Sequence, residues 1–196
     1  MSVLTHTAIE NRMRSPNVEE RLLITPLLRM DQIGDASVDL RLGRVFIVFN
    51  RSSIGQFDPR NREEIKKNIQ KYQERVRIAK GGTFVLHPQQ FVLGATLEYL
   101  VLPTSLHGQV SGRSTWGRTG LIIATATLVH PGYKGCITLE LVNEGTVPLV
   151  LRPLERIAQI MFQKTEDTCK YEGRYLCATG PEFPSFSKPD LPKELY

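Results

Sequence analysis

The most constraining feature of the sequence is a succession of short extended runs separated by Gly, Pro and Asn residues. The runs are rich in β-branched and large apolar residues, which favour strands, and each is short enough to be one strand. They read VFIVFN (45–50), TFVLHP (83–88), FVLGATLEYLVLP (91–103), GLIIATATLVHPG (120–132), CITLELVNEG (136–145), VPLVLRP (147–153) and RIAQIMFQ (156–163). This pattern predicts an all-β sandwich or barrel with Greek-key or jelly-roll connections.

Two segments predict helices beside these strands. In THTAIENRMRS (5–15), Thr7 as N-cap and Glu10 three residues later form a capping box for a short N-terminal helix. A second, amphipathic helix is predicted near 61–79 and ends at two glycines. Its apolar stripe consists of Ile65, Ile69, Tyr72 and Val76. The basic opposite side is either a solvated face or a groove for nucleic acid, and the lack of interleaved aromatic residues favours the solvated face.

Composition limits the class of protein. No low-complexity linker divides the 196 residues, so we expect a single domain over 1–196. No apolar run is long enough to span a membrane or to form a signal peptide, so we expect a cytoplasmic protein without a membrane partner. The net charge of +5 suits a small anionic ligand but is modest for nucleic-acid binding. The three cysteines form no C-x-x-C pair, which indicates reduced thiols.

One carboxylate stands inside a run that otherwise resembles a buried strand. In CITLELVNEG, Ile137, Leu139 and Leu141 share one face of the strand. Glu140 lies on the opposite face, between Thr138 and Val142. That mixed face is either a solvated surface or the wall of a cleft that needs an acid or a base.

The segment SGRSTWGRTG (111–120) is the main candidate for binding phosphate. Two arginines flank hydroxyl groups among glycines, and guanidinium and backbone N–H groups both bind phosphate oxygens. The segment is neither a P-loop nor a dinucleotide-binding fingerprint, and by spacing alone an ordinary polar turn remains open. No zinc is expected, because the histidines fit no zinc-hydrolase pattern. These histidines are His6, His87, His107 and His130.

Five blocks of the sequence together resemble the dCTP deaminases, a family of the dUTPase-like superfamily. They are ASVDLRLG (36–43), FVLHPQQFVLGATLEYLVLP (84–103), SGRSTWGRTGL (111–121), HPGYKGCITLELVN (130–143) and PLVLRPLERIAQIMF (148–162). The resemblance implies a distorted jelly-roll β-barrel and a homotrimer with active sites at the subunit interfaces. It also implies a pyrimidine deoxynucleoside triphosphate as substrate, with dCTP deaminated to dUTP and ammonia.

The resemblance also assigns roles to residues. Glu140 matches the general base that activates water, and Ser114 and Arg118 match residues that organise this water. Arg113 and Thr115 match the triphosphate site, with Mg2+ bound through the phosphates and no zinc. Further substrate-binding positions implied by the resemblance are Trp116, Gly117, Ala126, His130, Thr138, Leu139, Lys170, Tyr171 and Arg174.

Two departures from the family keep other functions open. His130 stands where dCTP deaminases and dUTPases usually carry an aspartate, and Arg174 stands where a glutamine is usual. The Gly-rich C-terminal arm of dUTPases is absent, which argues against a dUTPase or a bifunctional enzyme that forms dUMP. A third possibility is a nucleotide-binding relative that acts as a sensor or deaminates another pyrimidine nucleotide.

The Pro-rich tail, 177–196, is predicted to be irregular and to lie over the body of the protein or over a neighbouring subunit.

Overall fold

The structure is a computed structural model that describes residues 2–50, 58 and 61–185, with only the backbone of Arg62, Lys66 and Gln70. The helices are α1 His6–Met13, α2 Arg62–Tyr72 and the single turn α3 Ser114–Gly117, with a 3₁₀ turn at Met30–Gln32. The strands are β1 Leu23–Thr25, β2 Val38–Arg41, β3 Val45–Phe49, β4 Gln73–Arg77, β5 Phe84–Leu86, β6 Phe91–Val101, β7 Leu106–Gly112, β8 Leu121–Ile123, β9 Leu128–Val129, β10 Lys134–Asn143, β11 Leu149–Leu151 and β12 Arg156–Lys164.

These strands form antiparallel sheets that fit a jelly-roll arrangement, which confirms the predicted fold class. The larger sheet has the order β4-β3-β6-β10-β8, with β1 paired to the end of β6. A four-stranded sheet has the order β2-β12-β7-β9, and β11 pairs with β5. Each of the seven predicted runs contains a strand, and the run 120–132 contains two, β8 and β9.

The core lies between the two larger sheets. Leu139 and Leu141 of β10 meet Ile160 and Phe162 of β12 in one cluster of fully buried side chains. Each such side chain contributes roughly 1.5–3 kcal/mol on burial. The apolar face of β10 is therefore used for packing, and its opposite face, which carries Glu140, is left for another purpose.

The second predicted helix is wrong in its second half. Helix α2 ends at Tyr72, and the chain continues as β4, which pairs antiparallel with β3 from Phe49↔Gln73 to Val45↔Arg77. Val76 therefore lies on a strand and not on a helical stripe. The edge of β3 carries backbone N–H and C=O groups that would stay without partners if helix α2 continued. Pairing of β4 with this edge therefore outweighs the helical spacing of the apolar residues.

The short N-terminal helix is confirmed, but its predicted start is wrong. It begins at His6 with Thr5 as N-cap and without a side-chain cap, so Thr7 lies inside the helix. The start is set by tertiary bonds, because the Leu4 N–H donates to Phe162 O and the His6 N–H donates to Asp35 O.

Three further expectations have clear outcomes. All three cysteines are free thiols. Within the described residues, no helix has both the length and the hydropathy to cross a bilayer. Residues 177–185 form neither helix nor strand and lie against the body, as expected of the tail, whereas 186–196 are outside the described residues.

Candidate active site

A cavity of about 600 Å³ lies on the face of the larger sheet that points away from the core. Its walls come from β3, β6, β10, the 125–130 segment and the C-terminal segment. Aromatic side chains dominate the lining, namely Phe49, Tyr72, Phe91, Tyr133, Tyr171 and Tyr175. A concave site with apolar walls and few polar groups suits a flat heterocyclic ligand.

Glu140 lies on the wall of this cavity, so the polar face of its strand borders a cleft. Its backbone is held on both sides, because the Glu140 N–H donates to Thr125 Oγ1 at 2.9 Å and the Ala124 N–H donates to Glu140 O at 2.9 Å. Leu93 is its direct partner on β6. The position of the carboxylate is therefore set by the sheet and by the buried Thr125.

Burial raises the pKa of Glu140 above the ordinary glutamate value. The lining contains no Lys or Arg among the described residues, so no fixed cation offsets the loss of water around the carboxylate. A carboxylate with a raised pKa is a stronger base while it is ionised. Glu140 is thus suited to accept a proton inside the cavity.

Glu98 is a second buried carboxylate, but its surroundings are different. Burial raises the pKa of Glu98 too, yet its oxygens accept hydrogen bonds from the Arg41 N–H at 2.8 Å and from Gln32 Nε2 at 3.0 Å. Glu98 does not line the cavity. The Glu98 oxygens accept hydrogen bonds from within the fold, whereas the Glu140 side chain faces the open cavity.

Four of the other predicted residues line the same cavity: Ala126, His130, Thr138 and Tyr171. The rings of His130 and Tyr171 stack with centroids 5.6 Å apart and an interplanar angle of 10°. Tyr171 also packs against Tyr133 with a centroid distance of 5.6 Å. The structure therefore brings Glu140, the 125–130 segment and Tyr171 together around one space.

Leu139 does not share this environment. Its side chain is fully buried in the core, because alternate residues of a strand point to opposite faces of the sheet. Within this chain, only the backbone of Leu139 is left to contact a substrate, and its role in substrate binding stays a prediction.

The Arg-rich segment lies elsewhere on the molecular surface. Residues Ser114–Gly117 form the single turn α3, which the Trp116 indole fixes by donating to Arg156 O at 3.1 Å. The side chains of Ser114, Thr115 and Arg118 are exposed, as is Gly117. None of the loop residues lines the cavity. Within one chain, Ser114 and Arg118 are thus not brought together with Glu140.

Arg113 is partly neutralised by a half-buried ion pair with Asp39. Its Nε lies 3.2 Å from Asp39 Oδ1, and the other oxygen of Asp39 lies 3.4 Å from Arg156 Nη1. Arg156 also binds Asp31. The Arg113 side chain remains 37% exposed, so this ion pair does not remove it from solvent.

The basic residues of the C-terminal segment also lie outside the cavity. Lys170 is exposed, with its Nζ 3.8 Å from Glu172 Oε1, and the exposed Arg174 donates to Ser185 O. Neither lines the cavity. A nucleotide with its base beside Glu140 would meet these cations only where the ligand leaves the apolar space.

Sequence reasoning missed several lining residues, chiefly Tyr133, Tyr175, Glu182 and Pro184. The signal that could have found Tyr175 is a second basic–aromatic pair, Arg174–Tyr175, four residues after Lys170–Tyr171. Glu182 and Pro184 lie in an irregular segment whose path no periodicity predicts. Their place in the cavity is visible only in the folded chain.

Comparisons with known proteins show the family of the chain. The family model described as dCTP deaminase-like matches residues 3–165. A dCTP deaminase of Haloarcula marismortui is 41% identical over 174 residues, covering 88% of this chain and 86% of that protein. One from Halorubrum lacusprofundi is 43% identical over 154 residues, covering 78% and 74%. A dUMP-forming dCTP deaminase of Coprothermobacter proteolyticus is 39% identical over 170 residues, covering 84% and 88%.

A solved structure extends the likeness to the fold. The crystal structure of 2'-deoxycytidine 5'-triphosphate deaminase from Agrobacterium tumefaciens matches with a TM-score of 0.61 and 24% identity. The match covers 83% of this chain and 48% of that one, so this chain spans about half the length of that solved relative. The family model alone covers well over half of the chain, and the chain belongs to the dCTP deaminase-like family.

Proposed function

We propose that the protein is a hydrolytic dCTP deaminase that forms dUTP and ammonia. The observation that carries the proposal is Glu140, a half-buried carboxylate with a raised pKa on the wall of an aromatic cavity. A cytosine ring fits between apolar walls, and its deamination needs a base close to C4. The names of the relatives support the same substrate.

Glu140 serves as the general base in this reaction. It removes one proton from water as the water oxygen bonds to C4, and it delivers this proton to N3 of the ring. The proton left on the new C4 hydroxyl passes through Glu140 to the amino nitrogen as the C4–N bond breaks. The water supplies the oxygen of dUTP, and ammonia carries away the nitrogen. General-base catalysis of this kind contributes about 10²- to 10⁴-fold.

We assign Ser114 and Arg118 to the site of a neighbouring subunit in a homotrimer. The support is their exposure on α3, away from the cavity of their own chain. A ring of three subunits with head-to-tail contacts can place the loop of one subunit over the cavity of the next. There the Ser114 hydroxyl and the Arg118 guanidinium would orient the water and the carboxylate.

The remaining cations of the site bind the triphosphate. Arg113, Thr115, Lys170 and Arg174 supply cationic and hydroxyl donors, and Trp116 and Gly117 hold the loop in its turn. These donors fit phosphate oxygens and not a bare cation, so Mg2+ would reach the site on the phosphates, where it shields their charge. We assign no zinc to the reaction.

We propose dUTP, and not dUMP, as the product because His130 replaces the aspartate that, in the dUTPases this chain resembles, activates the water that attacks the phosphate. The ring of His130 is stacked on Tyr171, where an imidazole packs but a carboxylate would not. The dUMP-forming names among the relatives make the bifunctional reaction the second candidate.

The test is an incubation of the purified protein with dCTP and Mg2+, with dCTP, dUTP and dUMP separated by chromatography. Glu140→Gln is run beside the wild type. Accumulation of dUTP in the wild type alone is the expected result. A dUMP product would establish the bifunctional reaction, and tight dCTP binding without ammonia release would favour the nucleotide sensor.

A further inference from the structure

The C-terminal segment 181–185, here called the strap, crosses the cavity and is fixed at both ends. The Arg75 guanidinium of β4 donates to Pro181 O at 3.1 Å and lies 5.3 Å from the ring centroid of Phe183. At the far end, the Ser185 N–H donates to the Tyr175 hydroxyl at 3.2 Å. The strap is thus held by a strand and by the preceding turn.

The strap lies over the sheet face that carries Glu140. Residues directly opposite each other on neighbouring strands point to the same face of a sheet. Glu140 of β10 is opposite Leu93 of β6, which is opposite Ile47 of β3, and Ile47 is opposite Arg75 of β4. These four residues therefore form one row across the sheet. The Ile47 side chain is fully buried although it belongs to this outward row. Because Arg75 holds the strap at the end of the row, the strap and the catalytic wall form one site.

Glu182 is the polar side chain that the strap adds to the cavity lining. Its backbone N–H donates to Thr138 Oγ1 at 3.2 Å. Thr138 and Glu140 lie on the same face of β10, about 7 Å apart along the strand. Glu182, Thr138 and Tyr133 all line the cavity. The strap therefore places a second carboxylate on the cavity wall, on the chain that is anchored to Thr138.

The two carboxylates require different ligand groups. Glu140 acts at C4 of the cytosine ring, and the sugar is attached at N1, on the opposite side of that ring. A carboxylate accepts hydrogen bonds and repels phosphate. The neutral hydrogen-bond donor at the sugar end of a deoxynucleotide is its 3'-hydroxyl.

We propose that Glu182 is a specificity residue whose carboxylate accepts a hydrogen bond from the 3'-hydroxyl of the nucleotide. The strap thus recognises the sugar while β10 acts on the base. This inference rests on the proposed function, since it takes the base to lie beside Glu140. It adds a residue outside the five sequence blocks that carry the family resemblance.

The test compares dCTP with 2',3'-dideoxy-CTP, which lacks only the 3'-hydroxyl. Wild type is expected to prefer dCTP by about 10- to 100-fold in kcat/KM, as for a hydrogen bond to a charged group. In Glu182→Ala the preference should fall to about threefold or less, with Glu182→Gln intermediate because its carbonyl still accepts. Glu166→Gln, which changes an exposed carboxylate outside the strap and the cavity, is the control and should keep the wild-type preference.

The ratio separates recognition from a merely structural effect, since a damaged cavity would slow both nucleotides equally. An unchanged preference in Glu182→Ala overturns the inference, as does a preference that disappears in His130→Ala and persists in Glu182→Ala. If wild type deaminates neither nucleotide, the proposed function fails. The affinities of both nucleotides, measured by calorimetry with the same variants, then decide whether Glu182 recognises the hydroxyl.

Discussion

Glu140 and the 113–118 loop differ in their exposure to solvent. Glu140 is held by bonds to both sides of its backbone and lies inside a cavity that one chain builds. The loop is exposed, and its Arg113 is already paired with Asp39. A base works best when it is fixed and partly dehydrated, whereas groups that bind a highly charged phosphate must stay accessible until it arrives.

The strongest way to break this comparison is to remove the proposed base, Glu140. Glu140→Gln should lower turnover by about 10²- to 10⁴-fold and leave dCTP affinity and the thermal midpoint nearly unchanged, because the amide keeps the shape. Steady-state kinetics and calorimetry check this. Glu144→Gln, an exposed neighbour outside the cavity, is the control. Near-normal turnover of Glu140→Gln would remove Glu140 from the chemistry.

Mixing two inactive variants asks whether the exposed loop works on a second chain. Glu140→Gln and Arg118→Ala should each lose at least about 10²-fold in turnover. Refolded together in equal amounts, they should recover about a quarter of wild-type activity, since one interface in four combines an intact base with an intact loop. A mixture no more active than its components would place the loop outside the shared site.

Arg113→Ala tests the loop as a binding element. Affinity for dCTP should weaken by about 10- to 100-fold, as expected for a charged hydrogen bond. The free energy of unfolding should change by less than about 1 kcal/mol, because Arg113 is partly exposed and Asp39 keeps its second ion pair, with Arg156. Calorimetry and urea denaturation measure the two effects, with the exposed Arg152→Ala as control. Unchanged affinity would exclude Arg113 from the phosphate site.

The support of Glu140 can be weakened without touching its side chain. Thr125→Val keeps the shape but leaves the Glu140 N–H without its acceptor, so the protein should lose about 1–3 kcal/mol of stability. Denaturation curves measure this loss. Thr127→Val, at an exposed position on the same segment, should be close to neutral. Equal stability of the two variants would show that Thr125 is dispensable.

The smallest effect concerns pH. Because burial raises the pKa of Glu140, kcat/KM should fall on the acid side at a higher pH than an exposed glutamate would cause. The folded state also holds this proton more tightly than the unfolded state. Wild type should therefore lose stability relative to Glu140→Gln as pH rises from the ordinary glutamate pKa through the raised one.

Thermal midpoints and kcat/KM across this pH range test both statements. The fall of kcat/KM at acid pH must persist in Glu182→Gln, which removes a second carboxylate of the cavity. If kcat/KM falls only at or below the ordinary glutamate pKa, the assigned environment of Glu140 is contradicted.

The strands could be predicted where apolar alternation is strong, as in β6 and β10. Strand β4 could not, because Val76 continues a helical spacing and only the edge of β3 selects the extended form. Strand β7, LHGQVSG, was missed because its glycines and polar residues hide the alternation.

The candidate site likewise contains residues that could be predicted from the sequence and residues that could not. Glu140 stands out by its alternation on β10, and the arginines of the loop stand out by their composition. Glu182 and Tyr175 belong to the cavity only through the path of an irregular segment. That path depends on distant contacts such as Arg75 with Phe183.

The strap is synthesised after the strands that it contacts. The strands that carry Glu140 and Arg75 leave the ribosome before residues 181–185 do. Both sheets can therefore pack while the cavity is still open, and the last contacts form against a surface that already exists. A chain ended before Pro181 should then fold with the β10 wall that carries Glu140 intact and one side of its cavity uncovered.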